Sequence, residues 1–329
     1  MTQPLRIIAI EEHFITPVYR EHVRANEFRK FYLKSRGAQL GHDIVEENLD
    51  LGKSRLAYMD AAGIDVQVLS FGSPGPQAFV ADVAIPMARD ANDRLFETAK
   101  KYPGRFAGFA ALPTADPEAA AQELARCVNQ MQFKGAMIHG HQQGSFLDER
   151  KYWPIFERAE ALDVPIYLHP TLPHPDAMKS YFQGYEELAR AGWGFALDTS
   201  CHFLRLVFGG VFDAYPKLRI ILGHLGEGLP FAMHRLNDHT EAAARRRGLQ
   251  KAPIDYLQDN MLVTTSGNWY EPAFQCTLAA LGVDKILFAV DWPYEANRTG
   301  VEFLKKISVS EADRAKIAHL NAERELRLS

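Results

Sequence analysis

A (β/α)8 barrel, the TIM-barrel member of the α/β class, is the fold this sequence predicts, on three observations. Eight short apolar runs, rich in β-branched residues, are spread along 329 residues with amphipathic stretches between most of them. Four of those runs lead at once into a Glu, His or Asp. No Gly-x-Gly-x-x-Gly follows any run, as a doubly wound open sheet built around a dinucleotide would show.

In chain order the predicted strands are residues 7–10, 66–70 (VQVLS), 106–111 (FAGFAA), 135–138 (GAMI), 164–168 (VPIYL), 218–222 (LRIIL), 261–265 (MLVTT) and 286–290 (ILFAV). Helical patterns cover 83–102, 117–130, 152–162, 196–215 and 270–281, several opened by Asp or Pro, which favour a helix start. Strands alternating with helices point to parallel pairing and one closed barrel. With no internal repeat, low-complexity tract or Pro/Gly/Ser linker, residues 1–329 read as a single domain. The charged and aromatic segment at about 19–52 reads as an excursion after the first strand.

Composition narrows the partners. The chain is 47% hydrophobic and 24% charged, enough for a large core, and carries a formal net charge of -4 without a long basic or acidic run. This leaves no electrostatic footprint for nucleic acid or an anionic membrane, so a small molecule is the expected partner. No apolar run approaches the roughly 18 residues of a membrane span, and MTQPLR leads into the first strand without a signal-type core. Cys127, Cys201 and Cys276 are widely spaced with no Cys-x-x-Cys, the pattern of free thiols in a reducing compartment. A cytoplasmic enzyme is expected.

The strand ends carry the chemistry. The first strand runs into Glu11 and His13, the fifth into His169 (YLHP), the sixth into His224 (LGHLGEG) and the eighth into Asp291 (AVDWP). In a barrel the C-terminal ends of all strands meet at one mouth, so five ligand-type side chains converge there. Alternation along a strand puts Glu11 and His13 on one side and Glu12 on the other. Each residue alone has a plainer reading, a core histidine or a turn-capping Asp. Four strands delivering such residues at the same relative position favour a metal site.

The motifs IAIEEHF, MDAAGID, FAALP, VPIYLHP, LRIILGHLGEGLP, TTSGN and FAVDWP together resemble the amidohydrolase superfamily over nearly the whole chain. Within it they are similar to the decarboxylating branch of γ-resorcylate and 2,3-dihydroxybenzoate decarboxylases, where Glu-x-His replaces the His-x-His of most hydrolytic members. The resemblance implies Glu11, His13, His169 and Asp291 as ligands of one divalent ion, with His224 beside it and working with Glu227. It also implies a substrate-binding arginine at Arg235, in MHRL, and a homodimer or homotetramer. His139 stands where relatives often have Asn and is expected to contact substrate by neutral hydrogen bonding.

Two carboxylates and two imidazoles suit Zn or Mn, and no organic cofactor is expected. The reaction implied is reversible, non-oxidative decarboxylation of an ortho-hydroxybenzoate-type aromatic acid. Asp291 protonates the ring carbon that bears the carboxylate. Two other readings use the same residues: a metal-dependent hydrolase or lactonase with Asp291 as base, and a non-catalytic binder of a small ligand. Phe14, Trp292 and Tyr294 are candidates for an aromatic wall.

Overall fold

The first strand runs on through its charged triplet. In the computed structural model, which describes residues 5–25 and 27–328, β1 spans Ile8–Phe14 and is buried along its whole length. Residues 1–4, 26 and 329 of the expected 1–329 unit lie outside the described residues. β2 (Val66–Phe71) and β3 (Phe106–Gly108) follow it in a parallel sheet. A second parallel sheet runs in order through β4 (Ala110–Ala111), β5 (Ala136–His139), β6 (Ile166–His169), β7 (Ile220–Leu222), β8 (Met261–Thr264) and β9 (Ile286–Leu287).

The two sheets are one barrel. β3 and β4 are halves of a single stave, because Phe109 N–H donates to Leu69 O (2.9 Å) while Ala110 N–H donates to Gly135 O (2.8 Å). Past β9 the chain closes onto β1: Ile10 N–H donates to Phe288 O (3.2 Å), Asp291 N–H to Glu11 O (2.9 Å) and His13 N–H to Trp292 O (2.7 Å). Among the described residues closure leaves no edge strand, and strands buried on both faces explain the unbroken apolar runs of the sequence. β6 starts two residues later than predicted, since Pro165 has no N–H to give the ladder.

Alternate residues from the staves, including Ile8, Ile10, Val68, Met137, Tyr167, Ile221, Leu262, Leu287 and Ala289, pack into one apolar cluster that fills the barrel axis. Strict alternation from Ile8 and Ile10 would bring Glu12 inward. The pairing with β2 prevents this: Ala9 lies opposite Gln67, but Glu12 lies opposite Leu69, so β1 holds one extra residue. This bulge shifts the phase and turns Glu11 and His13 toward the axis. Glu12 is left facing the wall, where its carboxylate accepts Val290 N–H (2.9 Å) and Trp292 N–H (3.0 Å).

Helices Ala81–Lys101, Pro117–Met131, Trp153–Ala161, Gly194–Phe208, Leu229–Arg246 and Glu271–Leu281 follow the strands. The continuous helix expected over 196–215 is broken at Gly209–Gly210, where Gly210 is left-handed (φ 79°), and resumes as Val211–Ala214. The excursion forms helices Pro17–Ala25, Glu27–Leu40 and Ile44–Leu49, the last capped by Asp43. It reaches the mouth: Arg36 Nε donates to Tyr294 O (3.0 Å) and its guanidinium pairs with Glu295. Among the described residues no helix is long and apolar enough to cross a membrane.

Candidate active site

At the barrel mouth Glu11, His13, His169 and Asp291 each offer a ligand atom, all within 4.8 Å of one another. His13 Nε2 lies 3.1 Å from Asp291 Oδ1, and His169 Nε2 lies 3.4 Å from Glu11 Oε1. Among the described residues, Glu11 Oε1, His13 Nε2 and Asp291 Oδ1 are buried and find no hydrogen-bond partner. Buried polar atoms left unpaired are costly, and three of them facing a common point fit a cation bound at about 2.0–2.3 Å.

Each ligand is aimed from behind. Tyr167 O–H donates to Glu11 Oε2, and Thr264 Oγ1 reaches the same oxygen at 3.2 Å, leaving Oε1 for the cluster. Behind this pair Gly223 packs closely: a Cβ there would stand 3.2 Å from both Glu11 Oε2 and the Tyr167 hydroxyl, so these groups would have to shift by a few tenths of an ångström to admit it. His13 Nδ1 lies 3.1 Å from Ser70 Oγ, which leaves Nε2 inward. The Phe71 carbonyl can only accept, so His139 Nε2–H donates to it (2.7 Å) and His139 Nδ1 carries a lone pair. That lone pair accepts His169 Nδ1–H (3.0 Å), which also reaches Pro170 O (2.7 Å). His169 Nε2 is then a lone pair facing Glu11.

Electrostatics agree with this arrangement. Burial, with His139 and His13 adding to it, holds His169 well below the usual imidazole range, in its neutral ligand form. Burial pushes Glu11 up, opposed by His224 and His13. Burial also opposes charge on Asp291, but the imidazoles of His13 and His224 outweigh it and keep this carboxyl below its usual range.

His224 stands beside the cluster, with Nε2 4.0 Å from Asp291 Oδ2 and Nδ1 2.7 Å from Glu227 Oε1. Burial works against its charge, yet Glu227 and Glu11 raise it well above the ordinary value. The turn carrying the pair is strained: His224, Leu225 and Glu227 all have positive φ (52°, 62° and 54°), as does Asp291 (79°). It is held by His224 N–H to Ser266 Oγ (3.1 Å), Leu225 N–H to Thr264 O (2.7 Å) and Asn268 Nδ2–H to His224 O (3.3 Å). The TTSGN stretch thus finishes a turn and braces Glu11.

A cavity of about 140 Å³ opens on His169, His224 and Asp291. Its size is close to the roughly 150 Å³ that takes one benzene ring. Tyr294 lines it, while Phe14 packs on Phe71 (5.6 Å) and Trp292 on Tyr58 (4.6 Å), so one of the three expected wall aromatics faces the cavity. The structure does not bring Arg235 there. Its helix buries Leu229, Pro230 and Met233, and Arg235, two residues past Met233, is exposed. His139 is likewise absent from the lining of this cavity and stands behind His169 with both nitrogens engaged. His202 is buried and accepts Leu147 N–H (3.0 Å).

Sequence reading missed Tyr167, Ser70 and Arg190, the last of which lines the cavity. Tyr167 was available from the period of two, standing two residues before His169 on the same face. Arg190, in a loop, had no such signal.

A closed parallel barrel with a buried two-carboxylate, two-imidazole cluster beside an aromatic-sized cavity defines a metal-dependent barrel enzyme. The family model described as amidohydrolase matches residues 22–328, and the chain belongs to that family. It is 39% identical over 335 residues to γ-resorcylate decarboxylase from Polaromonas sp. (strain JS666), covering 98% of each chain. Its structure matches that of 2,6-dihydroxybenzoate decarboxylase complexed with 2,6-dihydroxybenzoate with a TM-score of 0.89 and 37% identity, over 99% of this chain and 100% of that one. 5-Carboxyvanillate decarboxylase from Novosphingobium aromaticivorans, solved with bound manganese, matches with a TM-score of 0.92 and 35% identity, over 99% and 98%.

Proposed function

We propose that this chain is a metal-dependent carboxy-lyase that decarboxylates an ortho-hydroxybenzoate-type aromatic acid without oxidation and reversibly. The observation that carries it is Asp291, which belongs at once to the cation cluster and to the lining of a ring-sized cavity. Family membership and the decarboxylase relatives support the same class. A divalent ion, Mn or Zn, held by Glu11, His13, His169 and Asp291 would supply a Lewis acid for the phenolic oxygen and its neighbouring carboxylate.

The side chains divide the remaining work. Asp291, kept as a carboxylate by its imidazole neighbours, takes the phenolic proton as substrate binds. It then delivers that proton to the ring carbon bearing the carboxylate. The bond to the carboxylate breaks, its electron pair restores the aromatic ring, and carbon dioxide leaves. One proton is consumed for each carbon dioxide formed. His224, held charged by Glu227, faces the departing carboxylate. Tyr294 supplies an apolar face for the ring. The same reading takes residues 1–329 as one domain of a cytoplasmic homodimer or homotetramer whose partner is a small aromatic acid, with no nucleic acid or membrane; the net charge of -4 supports it.

In heavy water the product should carry one deuterium at the carbon that lost the carboxylate. Asp291→Asn should lose at least about 10³-fold in kcat, because an amide cannot deliver the proton, with metal content checked alongside. Near-normal decarboxylation by that variant would remove Asp291 as the acid. Solvent oxygen in the product, without carbon dioxide, would replace the reaction by hydrolysis.

A further inference from the structure

The three backbone amides around Asp291 all end on two adjacent residues of β1. Val290 N–H and Trp292 N–H donate to the two carboxylate oxygens of Glu12, Oε1 at 2.9 Å and Oε2 at 3.0 Å, while Asp291 N–H donates to Glu11 O at 2.9 Å. In return His13 N–H donates to Trp292 O at 2.7 Å. Glu12 is fully buried, and among the described residues it belongs neither to the four clustered ligands nor to the cavity lining.

This carboxylate is itself backed. Gln67 Nε2–H donates to Glu12 Oε2 (3.4 Å), and Gln67 Oε1 accepts Arg55 Nη1–H (3.3 Å), with both side chains wholly buried. Arg55 also donates to the His13 carbonyl at 2.6 Å, so one buried cation serves Glu12 through Gln67 and the backbone of His13 directly. What Glu12 holds is costly. Asp291 has a left-handed φ of 79°, a conformation that costs a non-glycine residue of order 1–3 kcal/mol and persists only where the surroundings fix it. Acceptors for residues 290, 291 and 292 fix the chain on both sides of Asp291, and with it the direction of the Asp291 side chain.

Resting on the reading that Asp291 carries the proton from the phenolic oxygen to the ring carbon, we infer that Glu12 is a positioning residue for that transfer. It acts through the backbone of Val290 and Trp292 and handles no proton itself. Reacting atoms must approach to about 3–3.5 Å, and a misplacement of ~1 Å can cost about 10²-fold in rate. A glutamine at this position keeps the shape but has one accepting oxygen for two N–H groups, so one of them meets an NH2 group instead. The loss falls on proton delivery rather than on substrate binding, because the cavity walls at Leu33, Leu172 and Phe195 belong to other elements.

The test compares manganese-loaded parent, Glu12→Gln and Gln67→Met on the 2-hydroxybenzoate that the parent decarboxylates fastest, with kcat expressed per bound manganese. Glu12→Gln should lower that kcat by about 10–100-fold and leave KM within about threefold. Gln67→Met leaves both backbone contacts and removes only a supporting one, so it should lose about 2–10-fold, the value of one ordinary hydrogen bond, again at unchanged KM. A role confined to folding would reduce the share of chains that hold manganese and leave kcat per bound manganese at the parent value, which overturns the proposal. So does a loss carried by KM alone, which would assign Glu12 to the shape of the cavity. Should Glu12→Gln fail to fold, Gln67→Met decides by the same two readouts. A parent that releases no carbon dioxide from any 2-hydroxybenzoate would instead overturn the decarboxylase reading, and this one with it.

Discussion

Removing one hydroxyl behind the cluster should change how the site competes with protons. In Tyr167→Phe the aromatic ring remains but the O–H that donates to Glu11 Oε2 is lost, leaving Thr264 Oγ1 at 3.2 Å as donor to that oxygen. A hydrogen bond to a charged group contributes about 1.5–3 kcal/mol, so the ionised form of Glu11 becomes harder to reach by about 10–100-fold. Burial already pushes Glu11 up, and a cation binds only the ionised form. The sign follows: below the raised pKa of Glu11 a proton occupies the site, and the variant keeps that proton to a higher pH. Manganese titrations of the metal-free proteins at pH 6, 7 and 8, read by the signal of free Mn, should show weaker binding in the variant. The gap should be about 10–100-fold at the lower pH values and narrow as pH rises. Equal manganese affinity of parent and variant at pH 6 would refute the assignment of Tyr167 as the group that holds Glu11 charged.

Two other outcomes follow from the same geometry. Replacing Glu227 with Gln keeps an acceptor but removes the negative charge 2.7 Å from His224 Nδ1, so the imidazolium should be lost at lower pH than in the parent. kcat/KM should fall about 10–100-fold and the His224 limb of its pH profile should move down; an unmoved profile would break the dyad. Away from the site, burial pushes the Asp198 carboxyl up to about 6, and its Oδ2 is buried without a partner among the described residues. Between the unfolded value of about 3.9 and this folded value, the folded chain holds a proton that the unfolded chain has released. Stability contributed by that proton is full below the window and is lost as pH rises through it. Asp198→Asn should therefore melt above the parent at pH 8 and level with it near pH 4, whereas the same difference at both values would count against the buried-acid reading.

The sequence by itself determined the eight staves and the presence of ligands at their ends, because both are local properties. A buried parallel strand needs an unbroken apolar run, and the residue that follows it must lie at the mouth. His169 and Asp291 were readable for that reason, as was the opposition of Glu12 to Glu11 and His13. Which side faces inward was not readable from alternation, although the family resemblance implied it. Counting by twos from Ile8 and Ile10 brings Glu12 to the axis, and only the extra residue in the pairing of β1 with β2 reverses it. A bulge is set by the partner strand and leaves no mark on composition. Arg235 and Arg190 show the same limit. One lies on a regular helix and ends on its outer surface, while the other lies in a loop and ends on the cavity wall. Side-chain type and local period cannot distinguish these fates, because the direction of a side chain is fixed only when its element packs against the rest of the barrel.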